Sequence, residues 1–210
     1  NQVREDSPPA LNNQTRTTRE DTSYVPMQIT VDNVTFNNNR ALEGTGGAMA
    51  IFNGSPDVTI TDSNITDNTS ENAGGGLAIY NGTITIERSV IEGNQAVGNL
   101  SGFSHGGAML MAGDETTVVI ITASTLSSNI SDNTGGAISV FGGSLTFERS
   151  LLDNNRASGA LSGFGVGGGI HFVANQYSYI RNSTLSRNSA KDQGGGIYNQ
   201  PVYPGILWID

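Results

Sequence analysis

The residues of this chain best suited to chemistry are carboxylates spaced five apart. Asp62 and Asp67 form one such pair, and Glu87 and Glu92 form another. Two carboxyl groups flanking a glycosidic bond can serve as general acid and as base or nucleophile. A site of that kind is singular, however, and these charges repeat. Glu87-Arg88 returns as Glu148-Arg149, which reads as a solvated surface column. The two histidines, His105 and His171, have no serine or aspartate constellation beside them in sequence. Both read as surface residues. The acidic residues fit neither a calcium-binding helix–loop–helix nor the aspartate-bearing nonapeptide of calcium β-rolls. With no cysteine in the chain, thiolate metal sites and disulfide staples are excluded. The expectation is no catalytic residue, no metal and no cofactor.

Charge narrows the partners. The net charge is −9 and Lys191 is the only lysine among 210 residues. No basic stripe is present to neutralise phosphates, so a nucleic-acid partner is not expected. An anionic membrane surface is disfavoured by the same sign. No apolar run has the length of a spanning helix. The chain begins at Asn1 without a signal-peptide pattern and reads as a mature or excised segment.

The elements that would have to position any site are set by repetition. Asn39, Asn68, Asn94, Asn129, Asn155 and Asn188 mark six repeats of about 30 residues, a solenoid period. Three residues before each stands Phe36, Ile65, Ile91, Leu126, Leu152 or Leu185. Eight before each stands Val31, Ile60, Ile86, Ile121, Phe147 or Ile180, and two after each a small residue. A glycine pair follows, and then alternating apolar residues. Period-two alternation argues strand, and glycine-rich breaks argue turns. The fold expected is all-β: a right-handed parallel β-helix of about six coils, each of about three short strands. The six asparagines are expected to form a ladder at an interior bend, each amide bonding to the next coil. Glycine supplies the backbone angles of the sharp turns.

A longer period overlies the first. "ITIERSVIEGNQAVGNLSGF" from Ile84 matches "LTFERSLLDNNRASGALSGF" from Leu145. In both copies extra residues separate the asparagine from its glycine pair. They include Leu100 and Phe103 in one copy, and Leu161 and Phe164 in the other. Such loops are expected to protrude from one side as candidate contact loops, or to fold back over the surface.

The GGA[IM] stretches at 46–49, 106–109 and 135–138, with the FxxN of Phe36–Asn39, resemble the repeats of chlamydial polymorphic outer-membrane proteins. "NSTLSRNSAKDQGGGIYN" is similar to the wider class of bacterial β-helix surface proteins. The resemblance covers about residues 27 to 199. Five FxxN copies carry Ile or Leu for Phe, and three GGA copies read GGG. It implies an extracellular or cell-surface right-handed β-helix, often adhesive or structural, and carries over no catalytic residue.

The ends depart from the repeat. Residues 1–26 are polar with three prolines and read as an extended arm or linker. Residues 27–199 form the β-helix. Residues 200–210 contain the apolar run Ile206, Leu207, Trp208 and Ile209, expected either to cap the last coil or to dock another chain. Three function classes follow. The first is a non-catalytic structural or surface module assembling head-to-tail with copies of itself, and even a filament. The second is an adhesin with a carbohydrate or protein ligand. The third is a polysaccharide lyase or hydrolase, which the fold permits but does not establish.

Nine N-x-[ST] sequons occur, against about four expected by chance from the composition. Asn13, Asn53, Asn81 and Asn99 are the candidate glycosylation sites. In the proposed register Asn68 and Asn129 face inward. Intact-glycopeptide mass spectrometry of the chain secreted from a glycosylating host is expected to find no sugar on those two. A glycan on either would sink the register.

Overall fold

The computed structural model describes residues 26–52, 54–98, 104–160, 164–173, 176–200 and 205–210. Within them the chain winds through six coils, and each coil gives one strand to each of four parallel sheets. We label the sheets A to D in the order the chain meets them. The fourth coil is representative: Val118–Thr122 in sheet A, Thr125–Ser127 in B, Ile130–Ser131 in C and Ile138–Val140 in D. Sequence reading gave about three strands per coil. The fourth is the two-residue strand of sheet C, too short for alternation to reveal. Ile206–Ile209 pairs in parallel with Tyr177–Arg181. It is the seventh strand of sheet A, while sheets B, C and D have six.

Inward side chains stack into columns. Val31, Ile60, Ile86, Ile121, Phe147 and Ile180 are all buried in sheet A. Ile65, Ile91, Leu126 and Leu152 line sheet B, and Leu77, Met109, Ile138 and Ile170 line sheet D. These form one continuous apolar core. At roughly 25 cal/mol per Å² of apolar surface removed from water, this burial is the main favourable term.

The asparagine ladder is present in full. Each Asn from Asn39 to Asn155 donates Nδ2 to Oδ1 of the next, at 2.9 to 3.0 Å. The same Oδ1 also accepts the backbone N–H of the preceding asparagine. The second Nδ2 proton goes to a carbonyl one coil back, as from Asn129 to Ile91. Both donors and both lone pairs are thereby used inside the core.

Three corners of every coil need a left-handed residue. The first falls at Asn33, Asp62, Arg88, Ala123, Arg149 and Asn182, with φ between 47° and 54°. The second precedes each ladder asparagine. The third is the leading glycine of each pair, from Gly46 to Gly194. The trailing glycine answers a different demand. A Cβ on Gly47, Gly75 or Gly107 would lie 2.2 Å from the next coil's glycine carbonyl. One glycine of the pair is thus fixed by backbone angle and the other by close approach.

The ladder gives a graded expectation. Asn129→Ala strands the Asn94 amide donors in a dry core and is expected to cost about 3 kcal/mol. Asn39→Ala, at the open first coil, is expected to cost below about 1 kcal/mol. Urea unfolding of the two variants checks this, and equal losses would contradict it.

Candidate functional site

The carboxylates sit outside the core. Asp62 occupies the corner between sheets A and B, and Asp67 the corner between B and C, with strand Asn64–Thr66 between them. Asp62 accepts bonds from Arg88 Nε and Nη2 at 2.9 and 2.8 Å. That guanidinium holds its carboxyl below the usual carboxylate range. Arg88 also faces Glu87, and Arg149 faces Glu148, so the repeated pair makes two surface ion pairs with Thr122 of the fourth coil between them. Among the described residues Asp67 accepts from Asn37 Nδ2 at 3.4 Å, and Glu92 is exposed. Asp153 is held low by Arg187 and Ser186, and Asp114 by Thr116. Each of these shifts favours the carboxylate, opposite to what a general acid at neutral pH requires. Among the described residues no group of three His, Asp or Glu side chains is placed to hold a metal ion.

The histidines correct the sequence reading. They were expected at the surface, yet His171 is only 5% exposed. It lies on the outward side of sheet D, where Phe141 and Tyr198 from the neighbouring coils cover it, each with its ring centroid 5.5 Å away. Phe141 also meets His105 edge-on at 4.9 Å. His105 Nδ1 lies 2.8 Å from Thr134 Oγ1. Among the described residues neither ring nitrogen of His171 has a hydrogen-bond partner. Burial pushes both histidines down to about 4, with His105 adding to the effect on His171. The signal available in sequence was Tyr198 at the matching position of the sixth coil; Phe141 stands two residues past Ser139, the matching position of the fourth.

A second ladder escaped the sequence reading. Ser63, Ser89, Ser124, Ser150 and Ser183 each stand five residues before a ladder asparagine. Each Oγ accepts the backbone N–H of its counterpart one coil earlier, at 3.1 Å. Each hydroxyl also donates to the carbonyl two residues before it, at 2.6 to 2.9 Å. The constant spacing was the available signal, obscured by the abundance of serine and threonine.

The other candidate residues are distributed as follows. Leu100, Phe103 and Leu161 lie outside the described residues, while Phe164 is described and exposed. Both insertions leave the same corner, between sheets C and D. Phe52 and Tyr80 stack face to face at 4.5 Å, with Phe52 largely exposed. Of Ile206, Leu207, Trp208 and Ile209, only Leu207 is half-buried, and the other three are exposed. The strand covers only the sheet A edge of the sixth coil, leaving Leu185 and Ile197 half-buried. Asn13, Asn53 and Asn99 lie outside the described residues, as do residues 1–25. Asn81 is half-buried at a turn, and Asn68 and Asn129 are fully buried ladder rungs.

The family model for the Chlamydia polymorphic membrane protein repeat matches residues 182–200. That stretch runs from the corner after sheet A of the sixth coil, through Asn188 and the glycine run, to the end of its sheet D strand. No curated protein and no solved structure matches the chain. The matched repeat and the parallel solenoid agree with the resemblance seen in the repeats. They point to a β-helix associated with the cell surface or outer membrane.

The buried imidazoles set an acid sensitivity. Both are held neutral in the fold, with depressed values. Their contribution is therefore complete above the unfolded value of about 6.5 and is lost as pH falls toward about 4. Between pH 7.5 and 4.5 the parent chain is expected to lose about 2 kcal/mol more than the His171→Leu variant. Urea unfolding at the two pH values measures this, and identical losses would remove His171 from the account.

Proposed function

We propose that the chain is a non-catalytic structural module of the cell surface, a stiff stack of coils that associates end to end with further copies. One observation carries the reading: outside sheet A, the far face of the sixth coil is uncovered among the described residues, where every earlier coil is covered. A Cβ on Gly76 or Gly169 would meet the next coil's carbonyl at 2.8 or 2.5 Å, whereas one on Gly196 meets nothing within 4 Å. Asn188 accepts from Asn155 and donates to Leu152, but no further asparagine follows it in register. A coil of the same design fits that face, and the first coil of a second copy presents Asn39 and Gly47 in the required places. The repeat matched at residues 182–200 supports the surface location.

The junction has one steric condition. Ile206–Ile209 already fills the sheet A place of a seventh coil. A docking neighbour therefore exchanges its own Gln28–Asp32 strand for it, a form of strand addition. The contact is heterologous and propagates.

Sedimentation velocity and electron microscopy of the 210-residue chain across a concentration range test the reading. End-to-end oligomers are expected. Gly196→Arg plugs the bare face without a clash in the monomer and is expected to abolish them. Deleting residues 205–210 clears the seventh place and is expected to lower the concentration at which they form. Chains that stay monomeric throughout, or oligomers indifferent to Gly196→Arg, would overturn the proposal.

A further inference from the structure

The outward face of sheet A changes character along the solenoid. In the second coil it presents Asp57, Thr59 and Thr61, and in the fifth Ser144, Thr146 and Glu148. In the sixth coil it presents Tyr177, Tyr179 and Arg181, and the strand beyond adds Ile206, Trp208 and Asp210. Tyr177 and Trp208 are each 54% exposed. Tyr179 and Trp208 are direct register partners, about 4.8 Å apart along the stack. With Ile180, Arg181, Ile209 and Asp210 they line a cleft of about 430 Å³ at the end of the two strands.

Arg181 distinguishes this cleft from a merely apolar patch. Arg40, Arg88, Arg149 and Arg187 each face a carboxylate. Arg181 makes no ion pair among the described residues, and its guanidinium lies 5.0 Å above the Tyr179 ring. The ring positions the cation without consuming its five N–H donors. A planar fork so held suits a carboxylate taken bidentately. The tyrosine and tryptophan faces suit a flat ligand with an apolar face and a polar rim.

We propose that this face binds a glycan carrying an acidic pyranose. Its ring C–H face stacks on Trp208 and its carboxylate engages Arg181, while Tyr177, two residues along the strand from Tyr179, takes the next ring. The occupant is a saccharide rather than a protein edge, because the aromatic rings and the Arg181 fork stand on the outward face of sheet A and not along its hydrogen-bonding edge. The site belongs to the unassociated chain, because a docking neighbour takes the place of Ile206–Ile209 and removes Trp208 from the face.

The 210-residue chain is applied to an array of immobilised neutral, uronate-bearing and sialate-bearing oligosaccharides. Retention on acidic sugars over neutral ones is expected. Trp208→Ala is expected to weaken it by at least about tenfold, and Arg181→Gln to erase the preference for acidic sugars while leaving residual stacking. Tyr177→Ser supplies a second variant at a solvent-facing position, and a thermal melt of each variant confirms the fold. Gly196→Arg, which blocks association and keeps Ile206–Ile209 in place, is expected to bind at least as well as the parent, which separates this site from assembly. Retention of no sugar, preference for neutral sugars, or binding unaffected by Trp208→Ala and Arg181→Gln would overturn the proposal.

Discussion

The side-chain amide of asparagine spans two coils at once, and that geometry governs the molecule. Its oxygen takes two protons from the coil before, and its nitrogen gives one proton back and one forward. A neighbour displaced by one residue would leave four polar groups unpaired in a dry interior. Register is thus enforced by the cost of unsatisfied groups more than by the attraction of any single bond. The aliphatic columns, the glycine contacts and the serine ladder all require the alignment that this amide imposes.

The same constraint explains what sequence could and could not reveal. Ladder asparagines and inward aliphatics occupy positions where only one chemical type works, so their recurrence survives coils of different length. The paired glycines are similarly forced, one by angle and one by contact. Sheet C gives no such trace: Ile130–Ser131 is two residues long, and its inward position needs only to be small. The serine ladder was legible in spacing but not in type, because the chain is rich in hydroxyls and Val34 replaces serine in the first coil.

His171 was misread for a different reason. Alternation assigns it outward, and outward positions usually meet water. Here the cover comes from Phe141 and Tyr198, whose places over it are set by coil stacking rather than by sequence proximity. The aromatic face of sheet A shows the converse. Tyr177 and Trp208 lie far apart in sequence, and only the parallel pairing of Tyr177–Arg181 with Ile206–Ile209 makes them a single surface.

The four corners of a coil are unequal. From the first residue of each sheet A strand to its ladder asparagine is 11 residues in every coil, as from 28 to 39 and from 177 to 188. The two corners in that span are closed by the serine and asparagine ladders. All variation in coil length falls elsewhere, before the glycine pair or between sheets D and A. A lineage can therefore lengthen, shorten or rewrite those two corners while half of each coil stays untouched. Surface identity and structural integrity are written in separate segments of the same repeat. Novelty arriving at the permissive corners leaves the core unaltered.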